Sequence, residues 1–235
     1  MKDLKDYKNL NRKENLKLAS KVVHGGEGID PATGSISFPI YQTATFKHSG
    51  IEIRDPYNYS RCINPTREEL EKTMAILEEG TRAFAVNSGM AAITLVFSLL
   101  KPGDHLIMSD DIYGGTFREV NEVLEVNGIE HDSIDLSDLD LLERTIKKNT
   151  KMIFIETPTN PMMKVADIAA IAKIGHDIGA LVVVDNTFLT PYFQRPLTLG
   201  ADIIVHSGTK YLAGHNDVLA GVVVVKDSKI GETLE

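Results

Sequence analysis

The stretch IIVHSGTKYLAGH (203–215) runs from an apolar segment into a turn dense in small and polar groups, with Lys210 directly after Ser207, Gly208 and Thr209. A lysine at a crowded sheet edge can be stripped of water, lose its proton and condense with an aldehyde. The two hydroxyls suit phosphate oxygens. Asp185 ends another apolar run, LVVVD, and DNTF (185–188) continues it with Asn186 and Thr187. A carboxylate left there is costly unless a cation or several donors meet it. Ser88-Gly89-Met90 opens a helical run, so backbone N–H groups and the positive end of the helix dipole form an anion site. Tyr113, followed by Gly114 and Gly115, could lay its ring on a planar ligand.

Each group also has a plain structural reading: a surface lysine, an aspartate capping the next turn, a serine at a helix N-terminus, a tyrosine on a rim. Taken together they are a phosphate cradle, an aldehyde-trapping amine, a carboxylate for a ring nitrogen and an aromatic cover. Those parts hold pyridoxal 5′-phosphate. Other chemistries lack their parts. There is no G-x-x-x-x-G-K-[ST] for a nucleoside triphosphate and no G-x-S-x-G elbow, and Gly25-Gly26-Glu27-Gly28 does not follow a strand. His206 and His215 lie across a glycine turn with no third ligand at a suggestive spacing, which favours structural or hydrogen-bonding roles over metal.

The elements that must position these groups alternate along the chain. Strands are expected over Arg82–Asn87, His105–Ser109, Ile129–Ser133, Met152–Glu156, Leu181–Asp185 and Asp202–His206. Helices are expected over Met90–Leu100, Thr116–Val126, Asp138–Lys147 and Ile168–Ile178. A first helix starts at Thr66 with the capping-box pattern Thr66-Arg67-Glu68-Glu69, puts Leu70, Met74 and Leu77 on one face, and stops near Gly80. Runs such as MIFIE are apolar on both faces, as strands of a mostly parallel sheet covered by helices should be. The fold class is therefore open α/β, whose ligands sit beyond the carboxyl ends of the strands.

Two regions are expected: an N-terminal arm with an irregular segment over 1–64, and an α/β domain over 65–235. Residues 1 to about 20 read as a mobile arm or surface helix, and Gly25–Asn64 as irregular chain that something else must pin, such as a neighbouring subunit. The 235 residues are 43% hydrophobic with a net charge of −8, which supports a sizeable core and gives no electrostatic reason to bind nucleic acid or an anionic membrane. One cysteine, Cys62, excludes an internal disulfide. With no apolar stretch of membrane length and a polar start, the expected location is the cytoplasm.

Six ordered motifs, YNYSRCINPT (57–66), NSGMAAI (87–93), YGGT (113–116), ETPTNP (156–161), DNTF (185–188) and HSGTKYLAGHNDV (206–218), carry a resemblance from about Val23 onward. The chain resembles the Cys/Met-metabolism pyridoxal-phosphate enzymes, the transsulfuration group of fold-type I that includes cystathionine γ-synthase, β-lyase and γ-lyase. The resemblance implies the large domain of that fold and pyridoxal 5′-phosphate as cofactor. Lys210 would be the Schiff-base lysine and proton shuttle, Asp185 the partner of the pyridine nitrogen, and Tyr113 the stacking ring and a catalytic residue. Ser88, Gly89, Met90, Ser207 and Thr209 would hold the phosphate, with Thr187 also at the cofactor. Asn160 would lie near the phenolic oxygen and the substrate carboxylate.

Tyr59 and Arg61, otherwise a solvated loop pair, would reach the phosphate of a neighbouring subunit, with Tyr59 also catalytic. A homo-oligomer, specifically a dimer of dimers, follows. The implied reaction is carbon–sulfur bond cleavage in cystathionine or a related sulfur amino acid. The alternatives are γ-replacement on an O-acylhomoserine and a silent cofactor-binding module. Family members continue into a C-terminal domain whose arginine binds the substrate carboxylate, and the chain is expected to lack it. Gly114-Gly115-Thr116 stands where methionine-cleaving relatives carry a cysteine, which argues against that activity.

Overall fold

The computed structural model describes residues 16–26, 29–30, 32–51 and 53–235. The expected arm lies outside the described residues up to residue 15; beyond it Leu18–His24 forms helix α1. The chain divides into two compact units, one ending at Leu77 and one beginning at Glu78. The boundary expected at 64/65 thus falls one helix later.

In the first unit, helix α2 (Pro65–Leu77) organises the irregular chain that precedes it. The Thr66 backbone N–H donates to Asn64 Oδ1 at 2.9 Å, so Asn64 caps the helix and the expected capping box does not form. Thr66 instead uses its hydroxyl to bind chain distant in sequence, donating to Pro39 O at 3.1 Å and accepting from Tyr41 N at 2.8 Å. Arg67 donates to the carbonyls of Ser60, Arg61 and Cys62, and Tyr57 donates to Glu68. A bridge between Thr45 and Tyr59 closes the loop. What pins the irregular segment is thus, in part, helix α2 of the same chain, through Thr66, Arg67 and Glu68. Met74 and Leu77 are buried, but Leu70 is exposed, so the apolar face is shorter than its spacing suggested.

In the second unit, strands β1 (Arg82–Val86), β2 (His105–Ser109), β3 (Glu130–Ile134), β4 (Thr150–Glu156), β5 (Leu181–Asp185), β6 (Ile203–Ser207) and β7 (Gly221–Val225) form one sheet in the order β1-β7-β6-β5-β4-β2-β3. Neighbours from β6 to β3 are parallel. β7 runs antiparallel between β1 and β6. Its GVVVV sequence is β-branched throughout and bounded by Gly and charge, the signature of a buried strand. It was absent from the expected series and is the main addition to it.

Helices α3 (Gly89–Phe97), α4 (Gly114–Glu119), α5 (Leu139–Thr145), α6 (Ile168–Asp177), α7 (Thr190–Phe193) and α8 (Ser228–Leu234) complete the unit, with a π-helical turn over Val120–Leu124 continuing α4. α3 packs on β1, β6 and β7, and α6 on β4 and β5. Strands β2, β5 and β7 and most of β4 and β6 are buried, as two-sided covering requires. Phe97 of α3 meets Phe154 of β4 with ring centroids 5.2 Å apart. The strand order changes direction between β2 and β4, which makes the carboxyl edge at those strands the topological switch point where ligands of such sheets bind.

One glycine sets how closely α3 meets the sheet. A Cβ on Gly221 would lie 1.9 Å from Ser88 O and 3.0 Å from Gly89 N. Gly221→Ala is expected to cost at least about 1–3 kcal/mol, because the obstacle is backbone and cannot rotate away. Thermal unfolding checks this against Gly114→Ala, where a Cβ meets nothing within 4 Å. An unchanged melting temperature in Gly221→Ala would contradict the contact.

Candidate functional site

The site residues of the second unit gather at the carboxyl edge, held by three short stitches. The first joins β5 to β6. Asp185 Oδ1 accepts from Thr187 N at 3.0 Å, and the Thr187 hydroxyl also bonds the Asp185 carboxylate. That hydroxyl oxygen accepts from Ser207 N at 2.8 Å. Thr187 thereby touches Asp185 and Ser207 at once. Asp185 is 9% exposed, and burial pushes its carboxyl above the ordinary carboxylate range, opposed by the Thr187 bonds and by nearby His206.

The second stitch joins α3 to the β6 edge. Ser88 caps α3, its Oγ accepting from Ala91 N at 3.1 Å. A Cβ on Gly89 would come within 2.7 Å of Ser207 Cβ, so only glycine permits this approach. Among the described residues, the N–H groups of Gly89 and Met90 and the Ser207 hydroxyl have no hydrogen-bond partner. Unpaired donors at a nine-residue helix N-terminus, next to a free hydroxyl, have the chemistry of an oxyanion cradle.

Thr209 departs from expectation. Its hydroxyl accepts from Ala220 N at 3.2 Å and donates to Ala220 O at 3.3 Å, closing the 208–220 turn rather than remaining open to a phosphate. Lys210 departs too. The turn carries it outward, so it is exposed rather than crowded, and among the described residues its amine forms no ion pair. Its backbone remains tied to the edge, Lys210 N donating to Ser207 O at 3.3 Å.

The third stitch joins the loops after β2 and β4. Glu156 Oε2 accepts from Tyr113 N at 2.9 Å. Asp111 Oδ2 accepts from the Thr159 hydroxyl and from Met162 N, and Lys164 binds both Asp110 and Asp135. These bonds tie the loop that carries Tyr113 to the loop that carries Asn160. The Tyr113 ring, 43% exposed, lies over Gly115, where a Cβ would meet it at 2.4 Å and Met90 Sδ at 2.7 Å. Gly115 leaves room for the Tyr113 ring, while Gly114 faces open space.

Tyr59 and Arg61 belong to the first unit. The Arg61 guanidinium lies over the Tyr59 ring, 4.9 Å from its centroid, beside an open depression lined by Tyr41–Ala44 and Tyr59–Arg61.

Two buried acids, Glu156 and Glu78, were assigned no role from sequence. Glu156 ends β4 with 6% exposure, and burial followed by the like charge of Asp185 pushes its carboxyl up to about 8. Behind the edge, Glu78 Oε1 accepts from Asn186 Nδ2 at 2.9 Å and lies 2.6 Å from His206 Nε2. Gln194 joins Asn186 to Thr157. This buried network braces the residues next to Asp185 and Ser207, giving His206 the hydrogen-bonding role expected of it. Glu78 and His206 are 128 positions apart, so no local pattern could announce the pair.

Two outcomes follow from these buried groups. Glu78→Ala leaves the side chains of His206 and Asn186 without their partner and is expected to cost about 3–5 kcal/mol in urea unfolding. For Glu156 the folded-state pKa lies above its unfolded value of 4.5. Its stabilising contribution is full below pH 4.5 and is lost as pH rises through about 8. Glu156→Gln keeps an acceptor for Tyr113 N without titrating, so its stability relative to the native chain should improve by on the order of 2–4 kcal/mol from pH 5 to pH 8.5. Melting curves that stay parallel across that range would refute the assignment.

Residues 19–235 match the family model described as Cys/Met metabolism PLP-dependent enzyme. The chain is 50% identical over 217 residues to cystathionine beta-lyase of Lactococcus lactis subsp. cremoris (strain MG1363), covering 92% of this chain and 57% of that protein. It is 49% identical over 219 residues to cystathionine gamma-lyase of Bacillus subtilis (strain 168), covering 93% and 58%. The crystal structure of cystathionine gamma-lyase from Lactobacillus plantarum complexed with L-serine aligns with a TM-score of 0.91 at 46% identity, over 93% of this chain and 57% of that one. The chain thus spans little more than half the length of these relatives. The family match runs through both units and every motif at the carboxyl edge, and the chain belongs to the Cys/Met metabolism PLP-dependent enzyme family.

Proposed function

We propose that the chain is the cofactor-binding part of a pyridoxal-phosphate-dependent carbon–sulfur lyase acting on cystathionine or a related sulfur amino acid. The observation that carries this reading is the meeting of unpaired donors at Gly89, Met90 and Ser207 with the buried Asp185, linked by Thr187, in a chain of that family.

Bound at this edge, pyridoxal phosphate supplies an aldehyde that takes up amines and a ring that stores negative charge. Gly89 and Met90 N–H groups and the Ser207 hydroxyl hold the phosphate, with Ser88 capping the helix that presents them. Thr209 keeps the turn closed through Ala220 and joins the phosphate shell only by exchanging that partner. Asp185 keeps a proton on the ring nitrogen, and Thr187 orients Asp185. Tyr113 covers the ring from the β2 loop and lies beside the reacting bonds. Lys210, exposed and without an ion pair among the described residues, would hold the cofactor through its amine, and the same amine, once free, would take and return the α-proton. Asn160, in the loop after β4, would meet the phenolic oxygen and the substrate carboxylate.

Tyr59 and Arg61 act on the phosphate of a neighbouring subunit in a cytoplasmic homo-oligomer, a dimer of dimers, and Tyr59 also serves the reaction there. The exposed Ile36, Ile40 and Ile51 of the first unit support such an association. A second reading, γ-replacement on an O-acylhomoserine, uses the same cofactor residues. A relative named cystathionine gamma-synthase/O-acetylhomoserine (thiol)-lyase from Bacillus subtilis (strain 168), 49% identical over 215 residues, favours keeping it.

The test combines cofactor trapping with product identity. Borohydride should abolish the cofactor's visible absorbance and leave the cofactor covalently fixed to Lys210 in the native chain, and Lys210→Ala should lower turnover of cystathionine by about 10²–10⁴-fold. Pyruvate as the keto acid identifies β-cleavage and 2-oxobutyrate γ-cleavage. Cofactor that stays attached after borohydride treatment of Lys210→Ala would overturn the role of this amine.

A further inference from the structure

Glu156 is a buried acid that the proposed reaction does not use. It ends β4 in register with Asp185 on the neighbouring parallel strand, so two carboxyls stand side by side at the sheet edge. Two amides of the loops after β2 and β4 donate to it, Tyr113 N at 2.9 Å and Asn160 N. The charged groups facing it are Asp185 from β5 and Asp111 from the loop after β2; His206 of β6 lies near Asp185. Ser109 of β2 accepts from the Glu156 backbone at 3.2 Å. No lysine or arginine is among these groups.

We propose that Glu156 is a positioning residue of the cofactor seat: a cation settling on Asp185 drives the Glu156 proton off to solvent, and the carboxylate so formed tightens its hold on the Tyr113 and Asn160 amides. This rests on the reading that the ring nitrogen of pyridoxal phosphate faces Asp185. Burial and the charge of Asp185, in that order, keep Glu156 protonated at neutral pH. A pyridinium cannot remove the first cause, but it neutralises the second. An amide donates more strongly to a carboxylate than to a neutral acid, so loss of the proton couples the ring nitrogen at one end of the cofactor to the seat of the Tyr113 ring on its face. No bond to the cofactor forms or breaks; one proton passes to water.

Pyridoxine 5′-phosphate is the probe, since it has the ring nitrogen and phosphate but an alcohol in place of the aldehyde and cannot react with Lys210. Its binding to the native chain, Glu156→Gln and Glu156→Asp is measured by calorimetry from pH 6 to pH 9, in two buffers of different ionisation enthalpy. The native chain should gain affinity over Glu156→Gln as pH rises, by about tenfold for each unit that the cation lowers the Glu156 titration. It should also release more protons on binding, and Glu156→Asp should restore both effects in part. Identical pH profiles for the native chain and Glu156→Gln overturn this inference while leaving the seat intact. A native chain that binds no probe at any pH overturns the seat and the inference together. If Glu156→Gln does not fold, proton release by the native chain at pH 7.5 decides alone: release supports the inference, and its absence overturns it.

Discussion

The constraint on which the site depends is the contact between backbone and backbone where α3 meets the sheet. Gly221 lies so close to Ser88 that no Cβ fits between them, and Gly89 is pressed as closely on Ser207. Two glycines on separate elements therefore set the start of a helix directly on the end of a strand. Helix N–H groups, a serine hydroxyl and the Lys210 turn then share one small region without any side chain having to bridge them. A larger residue at either position would push the cradle away from the edge that carries Asp185.

The antiparallel strand β7 makes that contact possible. A purely parallel sheet would need a crossover after β6 that carries the chain back to the opposite edge of the sheet. Instead the chain turns over 208–220, Thr209 clamps Ala220, and β7 re-enters beside β6 with its first residue, Gly221, under α3. The polar turn is thus a tight return between two buried strands. Its density of small residues reflects that geometry as much as any ligand.

Electrostatically the edge is an assembly of acids. Asp185 and Glu156 are buried side by side, with Asp111 close by, and burial favours the neutral form of each of the first two. Donors that suit an anion lie apart from this carboxyl pair, at the start of α3. The site is therefore polarised, acceptors at the β4/β5 end and donors at the β6/α3 end. A zwitterionic ligand with a protonated ring nitrogen and a phosphate matches that order.

Much of this was legible from residue order alone. Strands β1 to β6 and helices α3 to α6 were visible in their apolar runs and periods, within a few residues at each end. The positions of Ser88, Asp185, Ser207 and Lys210 at strand and helix ends followed from where those runs stop. Period and punctuation are local, so a linear reading finds them. Which partner each polar side chain chose was not local. Thr66 left its helix for Pro39, Thr209 spent its hydroxyl on Ala220, Glu78 found His206, and Glu156 met both Asp185 and the Tyr113 amide. These choices are made by strands that become neighbours only when the sheet closes, because a hydrogen bond depends on proximity in space and not on separation along the chain.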